Sequence, residues 1–268
     1  MKRIILIFHA LFILSALSAQ NNAIRPVREK TQAPAQKENF HLYLLIGQSN
    51  MAGRGIVEPQ DTVGNPRILR LNREGEWEIA REPVQYDRSF VGVGPGLSFA
   101  REMLASNDNI VIGLIPCAQG GSSIDHWKPE TLYQSTPPSH PYDDALKQTH
   151  RAMQDGVLKG ILWHQGESDS DQEKADVYKG KLIELVKNLR DEFKSPDIPF
   201  IAGEIPAMKN REVYINPVLR DAKNDIPCYE VVSAGGLTLL KDSIHLDAAS
   251  QRELGKRYAK QFKKYAHE

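Results

Sequence analysis

The fold is decided by the segment Leu42-Tyr-Leu-Leu-Ile-Gly-Gln-Ser-Asn-Met-Ala-Gly53. Its first five residues form a continuous apolar run of strand length, which is typical of a strand buried on both faces of a sheet. Gly47 then permits a tight turn, and Ser49 follows where the strand gives way to a helix. Backbone N–H groups at such a helix start can face a developing oxyanion, so Ser49 is a candidate nucleophile. Taken by itself, the segment also fits a helix that Ser49 merely caps.

Four more apolar runs of strand length follow, and helical patterns separate them. The runs are Ile110–Ile115, Gly160–Trp163, Ile198–Ala202 and Tyr229–Ser233. The predicted helices are Pro95–Ser106, Tyr142–Gln154, an amphipathic stripe from Tyr178 to Phe193, and a last helix capped by Asp247. This alternation predicts an α/β fold, with a parallel sheet covered by helices on both faces. Ligand sites in such folds lie at the carboxyl ends of the strands, so the residues after each run are the candidates.

Two strand-end loops are rich in groups that can bind a ligand. The loop Cys117–Trp127 contains a pair of glycines, which let a ligand approach the backbone closely, although a flexible loop can have the same sequence. The loop Trp163-His-Gln-Gly-Glu-Ser-Asp169 gathers five polar or ionisable side chains, which need partners when they are buried. The amide of Gln165 can donate to an oxyanion, and a functional loop is favoured, although His164 and Glu167 could instead be structural partners.

A carboxylate and a histidine stand three residues apart near the end of the chain, in Asp242-Ser-Ile-His245. At this spacing the two side chains can share one turn. The acid can then accept a hydrogen bond from one imidazole nitrogen and fix the tautomer, which leaves the other nitrogen to take a proton from a serine. Asp247, at the start of the last helix, is expected to hold this loop in place.

The first twenty residues have the layout of a secretory signal peptide, with a basic start, an apolar run from Ile4 to Leu17, and small residues after it. The run is shorter than the roughly 20 residues of a spanning helix, which favours cleavage over a membrane anchor. Residues 21–38 are polar with two prolines and are predicted to be a flexible leader, and residues 39–268 a single domain. We therefore expect an exported protein, periplasmic or secreted, with no membrane association after cleavage.

Charge and rare residues exclude several classes of function. Lys plus Arg and Asp plus Glu both number 34 among the 268 residues, so no overall positive field exists to bind nucleic acid or an anionic membrane. The eight histidines are scattered without the spacing of a metal site, and we expect no metal or organic cofactor. Export would permit Cys117 and Cys228 to pair, but two buried thiols fit the sequence equally well.

Taken together, four segments resemble the sequence blocks of the SGNH hydrolases, also called GDSL-like esterases, in the same order along the chain. They are Gly47–Gly53, Cys117–Trp127, Trp163–Asp169 and Asp242–His245, and they span nearly all of the chain after residue 40. Within that superfamily the chain is most similar to carbohydrate esterase family 6 and the sialate O-acetylesterase-like proteins. The resemblance implies a three-layer α/β/α sandwich around a parallel sheet of about five strands.

The resemblance also implies a catalytic triad. Ser49 is expected to be the nucleophile, His245 the general base and Asp242 the acid that orients it. In similar proteins the glutamate of the His-Gln-Gly-Glu block has been proposed as the acid, which makes Glu167 the alternative. The three-residue spacing to His245 favours Asp242.

Further residues are implied around this triad. The oxyanion hole is expected to comprise the N–H groups of Ser49 and of Gly121 or Gly120, with the side chain of Gln165. Residues expected to contact the substrate are Gln48, Asn50, Arg54, His126, Trp127 and His164. For Trp127 a position in the core fits the sequence equally well.

The implied reaction is removal of O-acetyl groups from an oligo- or polysaccharide. A plant-type polysaccharide such as acetylxylan is favoured, and acetylated sialic acid is the alternative, whose carboxylate Arg54 could bind. A non-catalytic glycan-binding protein on the same scaffold is a further alternative, which the presence of all three triad residues disfavours. An esterase for long acyl chains is disfavoured by the polar loops 120–125 and 165–171.

Overall fold

The computed structural model describes residues 24–105 and 107–265. Its strands are β1 (Phe40–Gly47), β2 (Ile68–Leu71), β3 (Trp77–Ile79), β4 (Val111–Pro116), β5 (Val157–His164), β6 (Phe200–Gly203) and β7 (Tyr229–Val232). Its helices are α1 (Ser49–Ala52), α2 (Gly96–Leu104), α3 (Pro141–Ala152), α4 (Gln172–Phe193), α5 (Glu212–Asp221) and α6 (Ala248–Phe262). The predicted signal peptide, residues 1–20, lies outside the described residues.

The strands form one sheet in the order β3-β2-β4-β1-β5-β6-β7. Every neighbouring pair is parallel except β2 and β3, which are antiparallel. β1 lies in the centre, where Leu44 pairs with Ile115 of β4 on one side and with Ile161 of β5 on the other. The prediction of an α/β fold is confirmed, and the carboxyl ends of β1, β4 and β5 meet at one edge.

The two faces of the sheet are covered by different helices, because successive side chains of a strand point to opposite faces. Leu42, Leu44 and Ile46 of β1 pack into a core with α3, α4 and α5. Tyr43 and Leu45 pack into a second core with α2 and α6. The result is the expected three-layer α/β/α sandwich.

The sheet has seven strands in the described part of the chain, whereas about five were predicted. The five predicted runs correspond to β1, β4, β5, β6 and β7, and the additional strands are the short β2 and β3. Each of the short strands contains a buried charged residue, so neither reads as an apolar run. Arg70 of β2 is opposite Glu78 of β3, and two nitrogens of its guanidinium donate to Glu78 Oε2 at 2.9 and 2.7 Å.

The predicted helices are present with shifted ends, and α5 was missed. An internal proline, Pro217, interrupts the helical pattern of α5. Asp247 caps α6, as predicted, by accepting the Ser250 N–H at 2.8 Å. This cap lies two residues after His245 and fixes the start of α6 at Ala248.

Residues 24–38 differ from the expected flexible leader. The Thr31 N–H donates to Trp77 O at 2.9 Å, and the Ile79 N–H donates to Glu29 O at 2.9 Å. The segment thereby adds to the exposed edge of β3, whose backbone groups would otherwise lack partners. A polar, proline-containing sequence gives no sign of this pairing, because the two hydrogen bonds to β3 involve only backbone groups.

Two glycine substitutions are predicted to have opposite effects on stability, because one glycine packs against α6 and the other lies on an open surface of α4. A Cβ on Gly160 of β5 would lie 2.1 and 2.5 Å from two ring carbons of Phe262, so Gly160→Ala should destabilise the fold by about 1–3 kcal/mol. A Cβ on Gly180, in the exposed interior of α4, would meet nothing within 4 Å, so Gly180→Ala should stabilise by about 0.5–1 kcal/mol. Urea unfolding measures both, and a stable Gly160→Ala variant would contradict the packing described here.

Candidate active site

Ser49 is the first residue of α1, directly beyond the carboxyl end of β1. The turn before it requires glycine, because Gly47 has φ +129° and a Cβ there would lie 2.1 Å from His164 O. The residue that caps α1 is Gln48, and its N–H donates to His164 O at 2.8 Å. The Ser49 hydroxyl therefore does not cap the helix and is available for other contacts.

Ser49, His245 and Asp242 form a hydrogen-bonded chain. His245 Nε2 lies 3.0 Å from Ser49 Oγ, and His245 Nδ1 lies 2.6 Å from Asp242 Oδ2. Asp242 Oδ1 accepts the N–H groups of Ile244 and His245, each at 2.9 Å. Burial by itself would raise the pKa of Asp242, but the hydrogen bonds from His245 and Ile244 outweigh it and lower that pKa. The carboxylate is therefore charged beside the imidazole.

Asn50 holds the loop that carries His245. Its Oδ1 accepts the Leu246 N–H at 2.9 Å, and its Nδ2 donates to Ile244 O at 3.2 Å and to Glu167 Oε1 at 2.6 Å. Asn50 was predicted to contact substrate, but it is fully buried and does not reach one. Its amide instead binds the residues on both sides of His245 and fixes the position of the imidazole.

Glu167, the alternative acid, contacts Asn50 and not His245. Its carboxylate is buried 3.9 Å from Nε2 of His164, and burial raises its pKa to about 7. His164, predicted to contact substrate, is also fully buried, and burial lowers its pKa to about 4. Its Nδ1 lies 3.2 Å from the Tyr258 hydroxyl. Both residues lie beneath the site, on the side away from solvent.

The amide of Gln165 is committed to the interior. Its Nε2 lies 2.5 Å from Asp169 Oδ2, 3.1 Å from Gln48 Oε1 and 3.2 Å from Ser122 O. Its Oε1 accepts the Tyr178 hydroxyl at 2.6 Å. Gln165 was predicted to face the oxyanion. Its side chain is 0% exposed and donates within the protein, so it does not. Gln48 is also buried and accepts this amide, which makes it a support for the loop.

The paired glycines have different surroundings. The Gly120 N–H donates to Asp87 Oδ2 at 3.0 Å, and Gly120 O accepts the Tyr133 hydroxyl at 2.9 Å. Gly121 is exposed with φ +84°, and within the described residues its N–H has no acceptor. Of the two glycines named for the oxyanion hole, only Gly121 therefore has an N–H available to a ligand.

The segment after β3 holds the glycine loop in place, a contact that was not predicted from the sequence. Gln85 Oε1 accepts the Ala118 N–H at 3.0 Å, while its Nε2 donates to Leu45 O at 3.3 Å. Asp87 binds Gly120 two residues further along. These side chains follow no apolar run and match no motif, so only the three-dimensional structure places them at the site.

Arg54 is not a free cation. Its guanidinium donates to both carboxylate oxygens of Asp87, at 2.7 and 3.3 Å, and to Gly53 O at 2.8 Å. The side chain is nearly buried, with Phe90 lying 5.1 Å from its central carbon. Arg54 was predicted to contact substrate, and a carboxylate if the substrate is sialic acid, but it instead orients Asp87, which in turn holds the glycine loop.

Trp127 and His126 differ in exposure. Trp127 is a core residue, 1% exposed, which donates to Ser122 Oγ at 3.0 Å and packs edge-on against Trp163. His126 is half-buried, with Nδ1 at 2.9 Å from Ser123 Oγ. Of the six residues expected to contact substrate, His126 is the one whose ring retains clear access to solvent.

Both cysteines, Cys117 and Cys228, are free thiols, so the interpretation without a disulfide is the correct one. Among residues 24–105 and 107–265, no group of three His, Cys, Asp or Glu side chains is arranged to hold a metal ion. In the same residues, no helix has the length and apolar character needed to cross a membrane.

A serine at the end of the central parallel strand, facing a histidine and a carboxylate from a loop before the last helix, is the arrangement of an SGNH-type hydrolase. Residues 39–264 match the family model described as carbohydrate esterase, sialic acid-specific acetylesterase. The chain belongs to this family, and it is thus a carboxylic ester hydrolase whose family acts on acetylated carbohydrates.

Individual relatives agree with this assignment. A probable carbohydrate esterase of Arabidopsis thaliana is 34% identical over 259 residues, covering 88% of this chain and 95% of that protein. An Arabidopsis thaliana crystal structure has a TM-score of 0.76 at 32% identity, covering 85% of this chain and 98% of that one. The crystal structure of NanS has a TM-score of 0.70 at 18% identity, with 87% and 99% covered, which supports the fold alone.

The burial of Glu167 predicts a pH-dependent stability difference. Because its pKa rises from 4.5 to about 7 on folding, the folded state holds a proton that the unfolded chain releases in this window. The wild type therefore loses this contribution to stability as the pH rises from 4.5 through 7, and a glutamine does not titrate. Urea unfolding should show that the free energy of unfolding of Glu167→Gln, relative to that of the wild type, increases by about 3 kcal/mol between pH 4.5 and pH 7.

The matched control is Glu184→Gln, because Glu184 is exposed on α4. Its difference from the wild type should stay flat across the same pH range. A flat difference for Glu167→Gln would show that Glu167 ionises in the folded protein as it does in water.

Proposed function

We propose that the protein is a serine esterase that removes O-acetyl groups from carbohydrates, with Ser49, His245 and Asp242 as its catalytic triad. The observation that carries the proposal is the hydrogen-bonded chain from Ser49 Oγ through the two imidazole nitrogens to Asp242. A serine hydroxyl is a weak nucleophile at neutral pH, and a positioned base activates it. The family assignment of residues 39–264 supports the same reaction class.

In this mechanism His245 removes the Ser49 proton as Oγ attacks the ester carbonyl. The imidazolium then gives the proton to the departing sugar oxygen, which leaves an acetyl group on Ser49. Water, deprotonated by His245, attacks this acyl-enzyme, and acetate departs as His245 returns the proton to Ser49 Oγ. Asp242 keeps Nδ1 protonated and stabilises the imidazolium in each half-reaction.

The oxyanion of each tetrahedral intermediate is assigned to two backbone donors, the N–H groups of Ser49 and Gly121. The first N–H groups of a helix have no intrahelical partner, which leaves that of Ser49 available. Gly121 N–H has no acceptor among the described residues, whereas Gly120 and Gln165 already donate within the protein. One such donor contributes about 3 kcal/mol to transition-state stabilisation.

The substrate class is an acetylated oligo- or polysaccharide met outside the cytoplasm, given the signal-peptide pattern of residues 1–20. Acetylxylan and acetylated sialic acid are the two candidates. The name of the family model favours the second, and Arg54 does not distinguish them because Asp87 already neutralises it. The half-buried ring of His126 is proposed to contact the sugar.

Replacing the nucleophile should abolish turnover with little loss of fold. We expect Ser49→Ala to lower kcat on 4-nitrophenyl acetate and on acetylated xylan or sialic acid by at least about 10⁴-fold. Acetate release gives the rate, and circular dichroism reports on the fold. Ser195→Ala is the control, because Ser195 precedes β6 at the opposite edge of the sheet and should retain full activity. Equal turnover by Ser49→Ala and the wild type would refute the assignment. A wild type that binds these sugars without turnover would instead indicate a glycan-binding protein.

The triad acid can be identified with two isosteric variants. Asp242→Asn removes the charge beside the imidazole and favours the wrong tautomer, so kcat should fall by about 10²- to 10⁴-fold. Glu167→Gln retains an oxygen that accepts from Asn50, so kcat should fall by less than about tenfold. The opposite order of effects, measured on the same acetyl ester, would assign the role to Glu167.

A further inference from the structure

A groove of about 880 Å³ lies beside the glycine loop. Its walls are residues 25–28 of the N-terminal segment, residues 83–91 after β3, and residues 133–137, with Arg70 and Arg73 at the end of β2. Asp87 and Tyr133 belong to its lining and also hydrogen-bond to Gly120. The groove therefore lies directly against the glycine loop, whose next residue, Gly121, is assigned to the oxyanion hole.

Five arginines line the groove: Arg25, Arg28, Arg70, Arg73 and Arg88. The one lining carboxylate is Asp87, which Arg54 neutralises. Arg70 is paired with Glu78. The other four have no carboxylate within 4 Å among the described residues. In a chain whose formal net charge is zero, the groove concentrates positive charge in one place.

These four guanidinium groups are held in place by backbone carbonyls, which orient a cation without neutralising it. Arg25 donates to Ser89 O and Val91 O, both at 2.8 Å, and Arg88 donates to Thr136 O at 2.6 Å. Arg73 donates to the carbonyl of Tyr86. A guanidinium has five N–H donors in a fixed fork, so each retains donors for a ligand.

The crowding of like charges at the groove is unfavourable unless an anion binds there. Burial, together with the charges of Arg70 and Arg25, lowers the pKa of Arg28 to about 10, although the charges of Glu78 and Glu82 act in the opposite direction. Arg28 is nevertheless placed there by hydrogen bonds to Arg81 O at 2.9 Å and to Pro83 O at 2.7 Å. An anion within the groove would relieve this repulsion and gain charge-assisted hydrogen bonds.

The groove also offers aromatic surface for sugar rings. Phe90 is 57% exposed at its rim, and Tyr86 is half-buried between Arg70 and Arg73, whose central carbons lie 5.9 and 4.8 Å from its ring. Aromatic side chains combined with a few placed polar groups are typical of sites for small organic ligands. An inorganic anion such as phosphate has no apolar face that could pack against these rings.

We propose that this groove binds the carboxylates of an acidic oligosaccharide, uronate units that extend from the acetylated sugar whose ester lies at Ser49. The arginine forks match a carboxylate in a planar, bidentate geometry, and the rings of Phe90 and Tyr86 pack against the sugars. The groove contributes binding and selects acidic chains, while Ser49 performs the chemistry. This inference rests on the proposed function for the position of the ester, but the binding itself does not require turnover.

The test is isothermal titration calorimetry with the Ser49→Ala protein and de-esterified oligogalacturonate. We expect binding that weakens with added salt, and that weakens at least about tenfold when Arg73→Gln and Arg88→Gln are combined in the same background. Neutral xylo-oligosaccharides of the same length should bind far more weakly and should not respond to the double variant. In the otherwise wild-type protein, the double variant should raise KM for an acetylated oligogalacturonate with kcat unchanged, and should leave 4-nitrophenyl acetate turnover unchanged.

The matched control is the pair Arg67→Gln and Arg101→Gln. These surface arginines also hydrogen-bond to backbone carbonyls, but in a different hollow, so they should leave binding unchanged. N-acetylneuraminic acid is titrated in parallel. If the wild-type groove binds it and the groove variant does not, the carboxylate recognised is that of a single terminal sugar. The inference would be overturned if the groove variant bound oligogalacturonate as tightly as the control variant did. It would also be overturned if neutral chains bound as tightly as acidic ones, or if only sulfated chains bound. These outcomes are independent of whether Ser49→Ala abolishes turnover.

Discussion

The side-chain amide of Asn50 is the contact on which the geometry of the site depends. It binds Leu246 N–H, Ile244 O and Glu167 Oε1, and so joins the ends of β1 and β5 to the loop before α6. These segments are far apart in the chain, and no other single side chain described here bridges all three. Because a buried amide with unmet hydrogen bonds costs about 1–3 kcal/mol, the loop has one favourable position, and it places the imidazole against Ser49.

Much of the fold could be predicted from the sequence, because a strand buried on both faces leaves a continuous apolar run. The same rule explains the strands that were missed. Arg70 and Glu78 interrupt β2 and β3, and their burial becomes favourable only when each is opposite the other. The docked segment 24–38 was missed for a different reason, since the hydrogen bonds that pair it with β3 use the backbone and are independent of side-chain identity.

The order of the motifs indicated which loops form the candidate site, but it did not distinguish side chains that face solvent from side chains that support them. Asn50, His164 and Gln165 lie in the matching blocks and were expected to contact ligand or oxyanion, yet each is fully buried with partners inside the protein. A polar side chain at a strand end can point outward or inward, and the sequence pattern is the same in both cases. Asp87 illustrates the converse, because it binds the glycine loop from a segment with no motif.

The choice between the two candidate acids follows from their surroundings. The acid behind a catalytic imidazole must remain charged when the imidazolium forms. Asp242 has its pKa lowered by the N–H groups of its own turn, so it is ionised at neutral pH. Glu167 is buried with its pKa raised to about 7, so near neutrality it carries only part of a charge, and its carboxylate accepts a hydrogen bond from Asn50 and not from His245. Local hydrogen bonding in a partly exposed turn, and not burial, is therefore what suits a carboxylate to support His245.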